Sequence, residues 1–275
     1  MTASVSSAAL TRAELEHAAP RTVRMAVREG RWTTNTKRLA LGFHQANVTI
    51  LPKHLAFDFM RFCQRNPRAL PILDVTDPGD PVPRIAAPDA DIRVDIPSYC
   101  IYRDGKLVDR VRDLRDHWRS DHVAFLTGCN LSIDQVLLDA GIPFPHLVRE
   151  DAFPAQYRST LMCRPAGVFH SPVVVSYRPV PELLLLRVIE LTSRFPLSHG
   201  APIHVGDPVR IGIPDLAKVD WGRAPDEEPG TIPAFWACGI TAQSAATTVG
   251  ICEMITHAPG HMFVTDLPVS DRTLG

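Results

Sequence analysis

No cysteine pair in this chain has C-x-x-C spacing, neither sign of charge dominates, and no apolar run is long enough to span a bilayer. Each shortage removes a class of protein. Without paired thiols, neither a zinc ribbon nor a redox dithiol is indicated. The six separated cysteines, Cys63, Cys100, Cys129, Cys163, Cys238 and Cys252, read as the reduced thiols of a cytoplasmic protein. A formal net charge of −1, with 21% charged residues, leaves no electrostatic footprint for nucleic acid or an anionic membrane. The one charge-dense run, residues 103–122, alternates in sign and reads as a solvated hairpin and a short helix. The first residues also lack the basic start and apolar run of a secretory signal.

The chain is rich in proline: 25 in 275 residues, about twice the usual share. The prolines stand singly at the ends of apolar segments, so they punctuate many short elements joined by fixed loops. With 45% apolar content the chain can bury a sizeable core. Strand-like and helix-like segments mix throughout. The expected fold is therefore α/β or mixed α+β: one compact unit, or two intertwined subdomains, around mixed sheets. Residues 1–20 read as a flexible N-terminal segment with a first helix, and residues 21–275 as the functional domain.

Local signals place the elements. Thr11-Arg-Ala-Glu14 is a capping-box pattern. Residues 52–64 put Leu55, Phe59, Phe62 and Cys63 on one helical face, and Asn66-Pro67 ends that helix. Residues 71–75 read as a strand, 77–91 as a surface loop, and 99–108 as a hairpin turning at Asp104-Gly105. The clearest unit is "HVAFLTGCNLSIDQVLLDAGIP". It reads as a buried strand, a tight exit at Gly128-Cys129, and a helix capped by Ser132 and stopped by Gly141 and Pro143. Beyond it, 172–179 reads as a strand, 181–196 as a long and mostly buried helix, and 203–205 and 209–213 as strands around a Gly206-Asp207-Pro208 turn. Residues 234–240 read as a buried strand, 241–250 as a helix, and the last segment as strand, loop, strand.

Candidate chemistry lies mostly in the loops. "FPLSHGAPIHVGDP" sets His199 and His204 among glycines and prolines, and "THAPGHM" does the same for His257 and His261. The spacings H-x4-H and H-x3-H would suit zinc on a helix, but Pro202 and Pro259 break both. A divalent metal would need the loops to converge, and neither metal nor cofactor is expected. A neutral imidazole held by rigid backbone is a ready acid–base group, so His199, His204 and His257 are the catalytic candidates. Cys129 is a further candidate, as a nucleophile, although buried cysteines are usually inert. Gly128, Asn130 and Ser132 stand at a helix entrance whose free N–H groups would receive an anion. Gln45 and Asn47, in "GFHQANVTILP", would donate to a substrate or cap a turn before the strand. Arg158, Arg164 and Arg178 lie at the edges of apolar segments, and one of them, with Arg178 the candidate carried forward, suits a carboxylate, since a guanidinium forks onto both oxygens. Asp207 reads as an Asx turn.

Six segments resemble one family in the same order: "GFHQANVTILP", "FLTGCNLSIDQVLLDAGIP", "CRPAGVFHSPVVVSYRP", "RFPLSHGAPIHVGDPVRIGI", "AFWACGITAQ" and "ITHAPGHMFVTDL". The family is that of D-glutamate cyclase, widely named as hydro-lyases. The resemblance implies an α/β fold, no nucleic-acid role, and loss of water from D-glutamate to give 5-oxo-D-proline. The chain departs from the family's usual pattern at Asn130, Asp134 and Tyr177, three positions beside the candidate pocket. The function expected is therefore a hydro-lyase acting on a small carboxylate or amino acid, as a homo-oligomer without nucleic-acid or membrane partners. A dehydratase of a hydroxy acid needs the same parts. A non-catalytic binder of small carboxylates needs only the anion site.

Overall fold

Two antiparallel sheets carry the chain in the computed structural model, which describes residues 10–149, 153–226 and 228–270. Helices α1 (Arg12–Glu16) and α2 (Pro20–Arg28) come first. Strand β1 (Phe43–Pro52), helix α3 (Lys53–Arg65) and strands β2 (Ile72–Val75), β3 (Tyr99–Arg103), β4 (Lys106–Val111) and β5 (His122–Gly128) follow. Helices α4 (Asp134–Asp139) and α5 (Pro145–Val148) lead into strands β6 (Gln156–Met162) and β7 (Pro172–Pro181) and helix α6 (Leu185–Ser193). The chain ends with β8 (His204–Val205), β9 (Thr231–Ala237), helix α7 (Thr241–Val249), β10 (Glu253–His257) and β11 (Phe263–Pro268). The mixed α/β class expected from the sequence is the class observed.

The larger sheet has the order β2-β5-β1-β10-β3-β4, with β11 also on β1; the smaller is β6-β7-β9-β8. Strand β1 decides where a site can form. One of its edges pairs with β5 from Ala46↔Gly128 to Pro52↔His122. The other edge is divided: Gln45 and Ala46 pair with β11, Thr49 and Ile50 with β10. Asn47 and Val48 lie in the fork between them, so this stretch of β1 is open to groups other than a neighbouring strand.

The sheet faces are filled by alternation along the strands. Ala46, Val48 and Ile50 of β1 join Ile101, Leu126 and Ile255 on one face, covered by Ala86, Ala87, Ala90, Ile92 and Ile96 of the long 76–98 connection. That connection is fastened by Asp74, whose carboxylate accepts from the Ile85 and Ala86 N–H groups at 2.9 Å each. Phe59, Phe62 and Cys63 of α3, with Ala242, Ala245 and Ala246 of α7, cover the opposite face. On α1 the Thr11/Glu14 capping box forms, and Leu15 packs with Val23, Ala26 and Val27 of α2. No helix among the described residues is long and apolar enough to cross a membrane.

The structure corrects four local expectations. Ser132 does not cap a helix: the chain leaves β5 into a 3-10 turn at Asn130–Ile133, and α4 begins only at Asp134 without a side-chain cap. Residues 181–196 are not one buried helix. A 3-10 turn at Glu182–Leu184 precedes α6, and only Val188 and Thr192 of α6 are buried. Residues 209–213 are not a strand, because Asp207 accepts from the Val209 N–H at 3.0 Å and starts a 3-10 turn at Pro208–Ile211. The charged 103–122 run forms its hairpin strand but no helix.

Candidate active site

Six of the ten residues singled out in the sequence line one cavity between the two sheets: Asn47, Cys129, Asn130, Arg178, His199 and His257. The cavity measures about 60 Å³, counted as the space open to a water molecule's centre. Its walls come from the fork in β1, the exit of β5, strand β7, the turn before β8, and the connections after β9 and β10.

The fork fixes the first pair. The Val48 N–H, lacking a strand partner, donates to Nδ1 of His257 at 3.1 Å. Nδ1 also stands 3.3 Å from the Val48 carbonyl, so the contact with the Val48 N–H is the one made by the ring that carries its proton on Nε2. His257 is buried, and burial pushes its pKa down to about 4, against a smaller upward pull from the Val48 carbonyl. It is therefore a neutral donor near neutral pH. Asn47 donates through Nδ2 to the Gly128 carbonyl at 2.6 Å. Gly239 makes this possible, since a Cβ there would stand 2.3 Å from that nitrogen.

The second histidine is held with strain. His199 has φ 71°, a left-handed conformation uncommon for residues with a side chain. Its Nδ1 donates to the Arg68 carbonyl at 2.8 Å, and Arg68 Nε donates back to the His199 carbonyl at 3.0 Å. Burial pushes this imidazole down to about 4 as well, while the Arg68 and Gly128 carbonyls pull it back up. Gly128 sets the loop's depth: a Cβ on it would lie 1.7 Å from the Leu197 carbonyl oxygen. Gly128 thus serves close packing and is not among the residues lining the cavity.

Arg178 is the cation of the cavity. It sits on β7 two residues from Ser176, so both side chains share a face, and its Nη1 donates to Ser176 Oγ at 3.2 Å. Its guanidinium lies 5.0 Å over the Trp236 ring and 5.9 Å from that of Phe144. Burial lowers its pKa, and the nearby Asp134 charge works the other way. Its Nε has no hydrogen-bond partner, nor has the buried Oδ1 of Asn130. Cys129 is half-buried, and desolvation pushes its thiol up to about 12. It is a thiol rather than a thiolate at neutral pH.

The other four residues lie elsewhere. His204 is on the edge strand β8, with Nε2 donating to the Asp207 carbonyl at 2.8 Å. Gln45 ties the N-terminal segment down, donating to the Thr36 and Leu39 carbonyls at 2.8 and 3.1 Å. Ser132 Oγ accepts from the Gln45 N–H at 2.9 Å and is sealed away. Gly128 is packed as described. Sequence reasoning missed Ser176 and Cys238, which also line the cavity. The period-2 alternation through Arg178 pointed to Ser176; nothing pointed to Cys238. Among the described residues, no three His, Cys, Asp or Glu side chains group closely enough to hold a metal ion.

This is a mixed α/β protein with a buried arginine and two neutral histidines on one small cavity. Comparison with known proteins places it further. D-glutamate cyclase is the family matched, over residues 123–266. Relatives named "Putative hydro-lyase" include one from Bacillus subtilis, 50% identical over 90% of this chain and 96% of its own. Another, from Stutzerimonas stutzeri, is 49% identical over 93% of this chain and 96% of its own. The chain belongs to the D-glutamate cyclase family and is an enzyme of the hydro-lyase type. A solved nitrogen repressor-like protein from Methanococcus jannaschii overlaps 84% of this chain and 89% of its own at 9% identity and TM-score 0.34, a likeness that carries no argument.

Proposed function

We propose that the cavity binds D-glutamate, or an acid of similar shape, and removes water from it to close the lactam 5-oxo-D-proline. One observation carries the reading: Arg178, His199 and His257 come from three distant segments and face the same small space. Arg178 receives a carboxylate through charge-assisted hydrogen bonds. The amine nitrogen attacks the side-chain carboxyl carbon, and negative charge grows on its oxygen, where the Nε2–H of His257 donates. His199, whose Nδ1 proton is committed to Arg68, offers Nε2 as the base for the ammonium. The two protons that the ammonium loses leave with the departing oxygen as water, so the step needs no co-reactant. An anion docked beside His257 raises its proton affinity, so more of the ring is protonated and able to deliver a proton to the departing oxygen. The enzyme works on this account inside the cell's cytoplasm on a free small molecule.

The test is turnover of D-glutamate, L-glutamate and a panel of hydroxy acids, with product identified by NMR. The reading expects 5-oxo-D-proline from D-glutamate, and Arg178→Ala to lower kcat/KM by roughly 100-fold, as loss of charged hydrogen bonds implies. Turnover of a hydroxy acid alone would assign an elimination instead. Equal rates in Arg178→Ala would remove the carboxylate clamp.

A further inference from the structure

Behind Arg178 lies a carboxylate that nothing holds. Asp134 is fully buried, and neither of its oxygens has a hydrogen-bond partner. Nε2 of His146 lies 3.5 Å from Asp134 Oδ1 and is itself without a hydrogen-bond partner. The His146 ring stacks on Phe144 at 5.7 Å, and Phe144 meets Trp236 edge-on at 6.2 Å. These are the two rings that flank the Arg178 guanidinium. Asp134, His146 and Arg178 thus share one aromatic-walled box. Arg178 faces the reaction cavity, and both Arg178 and His146 line a second cavity beside it.

A dry box of this kind tolerates little net charge. With the cavity empty, Asp134 and Arg178 balance and His146 is neutral. Burial and the positive charges of Arg178 and Lys37 keep a proton off His146, while Asp134 favours one. The remaining charged groups around it, Arg149, Arg223, Asp226 and Glu228, stand across the second cavity, where Asp226 pairs with Arg149 at 2.8 Å. A carboxylate on Arg178 brings a second negative charge to the box and cancels the main cation opposing His146. We propose that Asp134 and His146 are positioning residues for the clamp: when a carboxylate docks on Arg178, His146 takes a proton from solvent through the second cavity, and the resulting Asp134–His146 ion pair keeps the box neutral. This rests on reading Arg178 as the carboxylate site and adds a proton to the binding event.

Glutarate, a dicarboxylate without an amine and so unable to cyclise, is the probe. Calorimetric titration in two buffers of different ionisation heat counts the protons taken up. Uptake approaching one proton is expected, with Kd rising up to tenfold per pH unit between the pH at which the free ring loses its proton and the higher pH at which the bound ring does. His146→Gln and Asp134→Asn should each bind glutarate and cut the uptake by at least half. Two variants are used because either one alone could fail to fold, which thermal melting will reveal. The wild-type histidine ¹³C spectrum with and without saturating glutarate provides a reading that needs no variant, and it should show one newly protonated buried ring. Wild-type binding without proton uptake, or full uptake kept by a folded variant, overturns this proposal and leaves the clamp standing. No glutarate binding, as reported by the fluorescence of Trp236 beside Arg178, overturns the clamp itself.

Discussion

At Gly128 a single methyl group has nowhere to go, because the position it would occupy is 1.7 Å from a backbone oxygen of the turn that carries His199. Gly128→Ala must push that turn away from β5. Overpacking of this kind costs about 1–3 kcal/mol, and the displaced residue is catalytic in our account. The expected result is a lower urea midpoint together with lost turnover; wild-type stability in this variant would show that the turn is not held there. The residue scale also shows how far sequence could reach. Residue type and loop setting named Asn47, Cys129, Asn130, His199 and His257, which line one cavity, but did not choose Arg178 over Arg158 and Arg164. Nor did they separate His204 from His257. Both stand in proline-rich surroundings at the end of a strand-like segment, and the fork in β1 distinguishes them by giving Val48 N–H to one ring. Ser132 looked like a cap because its spacing to Gln135 was right, yet its hydroxyl is claimed by Gln45, 87 residues away in sequence.

Elements were legible where one local signal dominated. The hydrophobic face and Asn-Pro stop fixed α3, Asp104-Gly105 fixed the β3–β4 turn, and the apolar run Val123-Ala-Phe-Leu126 fixed β5, whose seven residues are all buried. The reading failed at α6 for a geometric reason. Four successive leucines read as burial, but consecutive helical residues point about 100° apart, so the run cannot all face one sheet. Leu183 is 98% exposed and Leu186 81%, whereas Val188 is fully buried. Replacing Leu183 or Leu186 by Glu should therefore change stability by no more than about 0.5 kcal/mol. Val188→Ala should cost about 2 kcal/mol, from lost burial and the cavity left behind. Urea melts of the three variants decide the matter. A large loss from the leucine variants would mean that this face is covered in solution.

For the whole molecule, acid is the informative stress. Unfolded histidines titrate near their ordinary value of 6.5, while His199, His257 and the buried His44 stay neutral down to about 4. Between those values the unfolded chain binds more protons than the folded one, so stability is full above about pH 6.5 and falls as the pH drops toward 4. Each buried ring contributes on the order of a few kcal/mol to that slope. Urea midpoints at pH 7, 6 and 5 should decline, and His199→Gln or His257→Gln should flatten the decline; a flat wild-type profile would show that these rings are not held neutral. The sequence made the α/β class legible, but not the meeting of two sheets around one cavity, because its walls come from segments distant in the chain. That meeting is the central claim, and a crystal structure with glutarate tests it most directly. The account predicts a carboxylate within roughly 2.7–3.2 Å of the Arg178 guanidinium, between the rings of His199 and His257. Glutarate bound elsewhere, with this cavity empty and Arg178 unmoved against Trp236, would contradict it.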